Sequence, residues 1–519
     1  MDNMTQKKKE LYVFLTAIVS MFITHYYFFA NRFISYEDLV NSFVPRNLFS
    51  IGALDHGRWF LPVAQIFSSN WSMPQVSGLI SGVVFGLTAI LLVRIYEIHS
   101  MVLSVLLSVV LTTFPAVACF NGYTHQAETF VISICLATLA VYLVGRYQKY
   151  GFVFGGLVLC LSMGIYQSFV SYVVGLVYVI VVLACLQKDM NIKKLFQKLL
   201  PYVFMMGIGA ALYVCVTKGL LEATGTQMVE YHNARNALNL SNINIAIGIK
   251  PMIVIFLQYY FSTVYNGSFL VMGMNLLAAL LIAAVVVKKL IVNGKQKNWV
   301  MNLILLLVLA VIPFGINSLP VLLGNAALNG NGLRRYTFYC LVVTYVLFIV
   351  IVDRWLGKGE LQGKMKKIVS YASVLILCVV CWCGYLQCNQ AYTRANVVYE
   401  SVFGYMNRIL ARAEQVEGWD RTVPVYFAKN TKMFGSFYEE EIEEFDDLFD
   451  MEPLQLQGMY DQVSIANFWR IYLHMEVENP SEEQINKINE MQEYKDMPAY
   501  PAEDSVKILD GVLVIKMDE

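Results

Sequence analysis

The chain has 519 residues, of which 57% are hydrophobic and only 15% are charged, and its 38 Lys and Arg balance 38 Asp and Glu. Because soluble globular domains carry about 25% charged residues, this composition excludes an ordinary soluble protein. The zero net charge conceals an uneven distribution, since residues 388–519 hold 11 Lys and Arg against 26 Asp and Glu. The sequence therefore predicts an apolar, basic membrane region followed by an acidic, soluble region.

The chain begins with three lysines, Lys7 to Lys9, and an apolar stretch over residues 11–30. This stretch is longer than the apolar part of a signal peptide, and Tyr26-Tyr27-Phe28-Phe29 is not a small-residue cleavage site. We therefore expect a first helix that is retained in the membrane.

Apolar runs long enough to cross a hydrocarbon core of about 30 Å recur as far as residue 387. They predict an all-α polytopic fold with about eleven spans, at 11–30, 75–95, 101–120, 128–145, 151–165, 168–186, 200–220, 268–287, 299–318, 336–353 and 368–387. An odd number of crossings places the two termini on opposite sides of the membrane.

Lys and Arg are distributed unevenly over the connecting loops. The loops on the N-terminal side hold 19 of them, and the opposite loops hold eight. Because cytoplasmic loops are enriched in Lys and Arg, the N-terminus is predicted to be cytoplasmic and the acidic tail extracytoplasmic.

Two apolar regions do not fit a single crossing. Residues 151–186 are too long for one span, and we expect them to divide into a tight hairpin at Tyr166-Gln167-Ser168. Residues 242–266 are apolar and aromatic, but a crossing there would invert every later loop. We expect an amphipathic or re-entrant segment on the outer face instead.

From Asn389 onward the sequence is typical of a small α/β domain, so we place a membrane domain at 1–387 and a soluble domain at 388–519. Residues 423–428 predict a strand, and Ser505 to Met517 predict a terminal hairpin that turns at Asp510-Gly511. The acidic run at 439–452 is interpreted as a solvated loop in preference to a cation site, because blocks of like charge repel one another.

The cysteines favour packing over metal binding. Nine of the ten lie in or beside apolar spans, where Cys packs as a small hydrophobic residue. Cys378, Cys381 and Cys383 have a spacing similar to that of metal ligands, but they lack a nearby histidine. The sequence identifies no cofactor and leaves a requirement for a divalent cation open.

On the predicted outer face, ionisable and aromatic residues form clusters. Charged groups close to a bilayer are costly unless a function requires them. Carboxylates can remove a proton from a hydroxyl, and Arg can neutralise a phosphate through paired hydrogen bonds. The candidates are Glu37, Asp38 and Asp55 as catalytic carboxylates, and Arg58, Trp59, His56, His125, Tyr166, Gln167, Arg334 and Arg335 as substrate contacts.

Each of these groups also has a structural explanation. The pair Glu37-Asp38 is compatible with a charged helix N-terminus or a solvated loop. Residues 55–59 are compatible with a turn that is held by an Asp55–Arg58 ion pair beside an interfacial Trp. For residues 334–335, the favoured explanation is that the two Arg residues flank a span and extend their aliphatic stems along the membrane toward water.

Short motifs connect these residues. A first helix is followed by Glu37-Asp38 and by Gly57-Arg58-Trp59, and a later helix hairpin carries Gly164-Ile165-Tyr166-Gln167-Ser168. In this pattern the chain resembles the Gtr-type-II bacterial glucosyltransferases over roughly residues 30–350. Those enzymes belong to the GT-C class of polytopic glycosyltransferases, which use lipid-phosphate-linked sugars and an acidic residue in the first extracytoplasmic loop.

The resemblance implies transfer of glucose, or a similar hexose, from a polyprenyl-phosphate donor to a cell-surface glycan such as an O-antigen. By position, Asp38 or its neighbour Glu37 would be the base and Asp55 a second carboxylate. Arg58 would be a donor-phosphate contact or an architectural residue. The family pattern gives no role to residues 334–335. Their assignment to the lipid phosphate rests only on their positive charge and on their predicted position at the outer side of the membrane. Membrane lipid is an expected partner, and nucleic acid is not.

Two other membrane functions are alternatives to glycosyl transfer. A flippase or transporter of a lipid-linked saccharide would need polar groups deep within several helices, whereas here they gather on one face. A polymerase or ligase would carry one long outer loop between late helices, whereas here the largest outer region is the tail. A scaffolding protein would not require the clustered polar loop. Glycosyl transfer is therefore the favoured function.

Overall fold

The computed structural model describes residues 3–31, 38–39, 51–68, 72–147, 149–187, 190–228, 245–263, 268–295, 299–323, 335–357, 361–428 and 462–517. The chain forms two compact units. The first unit comprises Met1–Ala30, Arg46–Asn121 and Gln126–Asn389, and the second comprises Asn31–Pro45, Gly122–His125 and Gln390–Glu519.

In the described residues of the first unit, all regular secondary structure is helical. Its α-helices are α1 (Asn3–Ala30), α2 (Ile51–Leu54), α3 (Leu61–Ala64), α4 (Pro74–Tyr96), α5 (Met101–Thr113), α6 (Ala116–Gly122), α7 (Ala127–Arg146), α8 (Gly151–Ile165), α9 (Val170–Cys185), α10 (Ile192–Thr224), α11 (Ile245–Phe261), α12 (Phe269–Lys295), α13 (Trp299–Ala310), α14 (Ile312–Leu323), α15 (Val342–Gly357) and α16 (Gly363–Ala413). Short 3-10 helices occupy Gln65–Ser68, Gln167–Phe169 and Arg335–Leu341.

These helices confirm the predicted all-α polytopic fold. In the part of the chain that the structure describes, eight helices are long and apolar enough to cross a membrane, or nine if α5 and α6 form one bent span. Two of the predicted spans correspond to shorter helices: α8, at 151–165, has 15 residues, and the span at 299–318 is divided between α13 and α14, which have 12 each. The predicted division of residues 151–186 is also confirmed, since α8 ends at Ile165 and a 3-10 helix begins at Gln167.

Prolines interrupt two of the predicted spans. The span predicted at 101–120 bends by 45° between α5 and α6, and Phe114, the residue before Pro115, is extended with ψ 127°. The span predicted at 299–318 is broken between α13 and α14, just before Pro313. Proline lacks an N–H and disfavours helical backbone in the preceding residue, an effect that hydropathy does not register.

Helix α16 is much longer than the span predicted at 368–387. It has 51 residues, so its length is roughly 75 Å, more than twice the thickness of a hydrocarbon core. The boundary between the two units falls within it, after Asn389.

A row of glycines on α4 allows α1 to approach closely. A Cβ atom at Gly78 would lie 2.5 Å from the ring of Phe29, and one at Gly86 would lie 2.6 Å from Phe14. At Gly82 the nearest atom is the Cα of Ile18, at 3.4 Å from such a Cβ. Small residues spaced four apart are a common basis of helix packing in membranes.

Charged side chains connect helix ends in the first unit. Arg94, near the end of α4, donates two hydrogen bonds to Glu10 of α1, at 2.9 and 2.6 Å. Asp353 of α15 accepts hydrogen bonds from the backbone N–H groups of His99 and Ser100, at 2.8 and 2.7 Å. Asp353 is 3% exposed, and by binding the start of α5 it satisfies donors that a helix leaves unpaired.

The region predicted to be amphipathic or re-entrant contains α11. Its side chains Met252, Ile255 and Tyr259 are buried, and Asn317 of α14 donates a hydrogen bond to the carbonyl of Met252 at 3.1 Å. The helix therefore packs into the first unit. That it lies on the outer face without crossing stays a prediction.

The second unit contains a three-stranded sheet in the order β1-β3-β2. Strand β1 (Val425–Ala428) is parallel to β3 (Val512–Lys516), and β2 (Val506–Leu509) is antiparallel to β3. Asp510 and Gly511 have φ angles of 49° and 76°, as a two-residue hairpin turn requires. The predicted strand and terminal hairpin are thus confirmed, whereas the acidic run at 439–452 lies outside the described residues.

Two hydrophobic cores cover the two faces of this sheet. One core contains Phe427, Leu513 and Ile515 of the sheet, the end of α16 and helix α17 (Gln462–Tyr472). The other contains Val512 and Val514 with residues of α18 (Glu482–Glu490). Successive residues of β3 belong to opposite cores because successive side chains of a strand point to opposite faces of the sheet. Helix α19 (Gln492–Lys495) and a 3-10 helix at Glu503–Ser505 precede the hairpin.

We predict that Gly82→Leu destabilises the helix bundle, because the larger side chain forces α1 and α4 apart. Overpacking of this kind costs about 1–3 kcal/mol. Thermal unfolding of the detergent-purified chain should show a lower midpoint. Gly207→Leu is the control, since a Cβ at this helical position has nothing within 4 Å. Equal midpoints for the two variants would contradict the packing argument.

Candidate active site

Asp38 and His125 form a buried pair in the second unit. Asp38 is 0% exposed and His125 is 8% exposed. The ring Nδ1 of His125 lies 2.6 Å from Oδ1 of Asp38. When the carboxylate is ionised, the ring donates this hydrogen bond through its Nδ1–H group. The structure thus joins a predicted catalytic carboxylate to a predicted substrate contact.

Backbone groups also bind the Asp38 carboxylate. The N–H of His125 donates to Oδ1 at 3.1 Å, and the N–H of Thr124 donates to Oδ2 at 3.4 Å. The ring of Tyr123 lies edge-on to the His125 ring, with centroids 6.1 Å apart. The short segment 123–125 therefore orients both members of the pair.

The two sequence motifs of the family resemblance contact each other in the first unit. The N–H of Phe60 donates to the carbonyl of Gly164 at 2.8 Å. A Cβ at Gly164 would lie 2.8 Å from the indole of Trp59, so glycine lets the indole lie against the backbone. The segments 57–60 and 164–169 are thereby one packed structure, although about one hundred residues separate them in the sequence.

Arg58 and Asp55 do not form the ion pair that was considered for this turn. The guanidinium carbon of Arg58 lies 4.8 Å from the ring centroid of Tyr166, an arrangement typical of a cation–π contact. Asp55 instead lies 2.6 Å from Nδ1 of its neighbour His56. Both groups are partly exposed, with side-chain exposures of 26% for His56 and 17% for Asp55.

Tyr213 is a site residue that sequence reasoning missed. It is 2% exposed in α10, and its hydroxyl donates to the carbonyl of Gly57 at 3.2 Å. The amide of Gln167 donates to that hydroxyl at 2.7 Å and to the carbonyl of His56 at 2.9 Å. Gly57 has φ 71°, and a Cβ there would collide with the Tyr213 hydroxyl. Two side chains therefore hold consecutive carbonyls of the turn that carries Arg58.

Glu128 is a buried carboxylate to which the sequence assigned no role. It is 1% exposed in the first turn of α7. Ser68 donates a hydrogen bond to its Oε1 at 2.6 Å. A carboxylate in the first turn of a helix is stabilised by the helix dipole, which gives Glu128 a structural explanation.

Other predicted site residues cannot be placed. Glu37 and Arg334 lie outside the described residues, as does the side chain of Arg335, whose backbone begins a 3-10 helix. Within the described ranges, no group of three or more His, Cys, Asp or Glu side chains is arranged to hold a metal ion.

The fold and these residues define a polytopic helical membrane protein in which loops hold carboxylate, imidazole and guanidinium groups. Residues 26–352 match the family described as Glucosyl transferase GtrII. This match covers more than half of the chain, so the chain belongs to that glucosyltransferase family, and the predicted resemblance is confirmed. A comparison with curated proteins gives no match. The matched region contains Asp38, His125 and both motifs, and it ends before α16.

Removal of the Tyr213 hydroxyl should loosen the turn that carries Arg58. We expect Tyr213→Phe to lower the rate of glucosyl transfer about tenfold, since small misplacements of site residues are costly, without reducing accumulation of the chain. The measurement is transfer of radiolabelled glucose in isolated membranes. Tyr202→Phe, also at a buried position of α10, is the control. Equal rates for the two variants would show that the bridge is dispensable.

Proposed function

We propose that this chain transfers glucose, or a similar hexose, from a polyprenyl-phosphate donor to a hydroxyl of a cell-surface glycan. Membership of the GtrII family supplies the class of reaction. The identity of the donor and the acceptor is our proposal, and the GT-C resemblance supports it. The distribution of Lys and Arg supports a cytoplasmic N-terminus and an extracytoplasmic site in a bacterial plasma membrane.

The observation that carries this proposal is the 2.6 Å contact between Asp38 and His125. Asp38 occupies the loop after the first helix, where the GT-C class has its acidic residue. A carboxylate paired with an imidazole is suited to general base catalysis, because the pair can accept a proton and share the resulting charge. We assign the base to the pair and not to Asp38 alone.

The proposed reaction is a direct displacement at the anomeric carbon of the donor sugar. The acceptor oxygen forms a bond to that carbon, and the bond from the carbon to the phosphate oxygen breaks. The hydroxyl proton passes to the Asp38–His125 pair, and polyprenyl phosphate leaves with the bonding electrons. Positive charge stabilises the phosphate oxygens as negative charge develops on them.

Arg58 is our candidate for a contact to the donor phosphate. The contact of its guanidinium carbon with the Tyr166 ring orients the planar group, and a guanidinium matches two phosphate oxygens in geometry. Trp59, His56 and Gln167 are proposed to contact substrate or to support Arg58. Residues 334–335 remain proposed contacts to the lipid phosphate, and Glu37 and Asp55 remain alternative carboxylates.

We propose different roles for the two parts of the chain. Residues 1–387 would carry donor binding within the membrane, and residues 388–519 would form a soluble extracytoplasmic domain. A lipid-linked donor suits this location, since nucleotide sugars are absent outside the cell and a flipped lipid-linked sugar is available there.

We predict that Asp38→Asn and His125→Gln each lower kcat by about 10²–10⁴, the usual contribution of general base catalysis. If the two residues act as one base, the double variant should lose no more activity than the worse single variant. The assay is transfer of glucose by the purified chain. Asp504→Asn, in the exposed part of the second unit, is the control. Unchanged activity in Asp38→Asn would contradict the assignment of Asp38 to the base. Additive losses in the double variant would show that Asp38 and His125 do not act as one base.

A comparison of cells with and without this gene tests the donor and the acceptor. We expect the surface glycan to lose mass equal to one hexose per modified repeat while the polymer itself remains. The purified chain should use polyprenyl-phosphate glucose and should not use a nucleotide sugar. Loss of the whole polymer would favour a flippase or a polymerase instead, and use of the nucleotide sugar would contradict the lipid-linked donor.

A further inference from the structure

Leu39, the residue after Asp38, belongs to the core of the C-terminal domain. Its side chain is 1% exposed and lies in the same hydrophobic cluster as residues of α16, α17 and the sheet. The cluster is contained in the second unit, which joins 31–45 and 122–125 to residues 390–519. A short segment from the beginning of the chain is thus built into a domain from its end.

The core around Leu39 is large and well enclosed. From α16 it contains Val398, Val402 and Met406, which are spaced four residues apart and therefore share one helix face. From α17 it contains Trp469, which is 0% exposed and lies 4.9 Å from the ring of Phe427 in β1. Interiors packed in this way transmit strain, so a truncation at Leu39 affects its neighbours.

Asp38 is held by polar contacts on one side and by its chain neighbour on the other. Its carboxylate receives hydrogen bonds from Thr124 and His125. The Cα atoms of Asp38 and Leu39 are about 3.8 Å apart, because a planar trans peptide bond fixes this distance. A shift of Leu39 in its core therefore shifts the carboxylate relative to the imidazole.

We propose that the C-terminal domain is a built-in part of the active site, in which Leu39 is a positioning residue that fixes the Asp38 carboxylate against His125. This inference rests on the proposed function for the catalytic role of the pair. It assigns a role to a domain that lies beyond the residues matched by the family, which end at 352. The domain acts through Leu39, which contacts no substrate.

The test compares two Leu→Ala variants of the full-length chain. Leu39→Ala removes the anchor of Asp38. Leu509→Ala removes the same atoms from a residue that is 2% exposed in the core on the other face of the sheet. We expect Leu39→Ala to lower kcat by about ten- to a hundredfold with an unchanged KM for donor, the size of effect that a misplaced catalytic group produces. Leu509→Ala should retain kcat within about twofold, because it leaves the Asp38 segment in place.

A second readout does not depend on catalysis. Amide hydrogen exchange at Thr124 and His125 reports on their hydrogen bonds to Asp38, and it should be faster in Leu39→Ala than in Leu509→Ala. Leu39→Met, which conserves volume, should restore both kcat and slow exchange. If Leu39→Ala does not accumulate, Leu39→Val provides a smaller truncation for the same two measurements.

The two readouts separate the inference from the proposed function. Exchange that is unchanged in the Leu39 variants would overturn the anchoring. Faster exchange with full transfer activity would support the anchoring and overturn the catalytic role of the Asp38–His125 pair. Equal losses of kcat in Leu39→Ala and Leu509→Ala would reduce the effect to general destabilisation and would also overturn the inference.

Discussion

A bilayer interior offers no water to bind backbone N–H and C=O groups, and this constraint governs most of the chain. The described part of the first unit meets it with helices, which satisfy these groups internally. Polar side chains between the helices follow the same rule. His25 bonds to the carbonyl of Thr112 at 2.9 Å, and Ser108 bonds to the carbonyl of Val13 at 2.9 Å. These two polar groups therefore contribute to the packing of the helices.

The loops in turn depend on the helices for their shape. The turn at residues 55–60 has little regular structure of its own, yet Gln167 and Tyr213 hold its carbonyls and Gly164 supports its indole. Reactive groups are positioned well when rigid elements and a second layer of hydrogen bonds support them. The short motifs of the family resemblance are consistent with this dependence, because each glycine stands where another residue would collide with its partner.

Much of the helical architecture could be predicted from the sequence, because an apolar run long enough to cross a bilayer is a local feature of the sequence. The hairpin at Asp510-Gly511 and the break at Tyr166 were equally local signals. The Asp38–His125 contact was not predictable as a contact, since 87 residues separate the two and no periodicity relates them. Tyr213 gave no signal either, because one tyrosine in an apolar helix resembles ordinary packing. Helix α16 continues beyond its predicted end because Val398, Val402 and Met406, spaced four residues apart, give the polar part of the helix a buried face in the core of the second unit.

The membership of Leu39 in the C-terminal core has a consequence for the order of biosynthesis. Residue 39 is synthesised well before Lys516, the last residue of β3, which completes the core around Leu39. At a synthesis rate of about 5–20 residues per second, the two are separated by roughly half a minute to a minute and a half. Until β3 has been made, the segment that bears Asp38 lacks part of its hydrophobic core. The core around Leu39 is therefore complete only once β3 has been synthesised, and a transcript truncated before β3 would yield a chain that lacks part of this core.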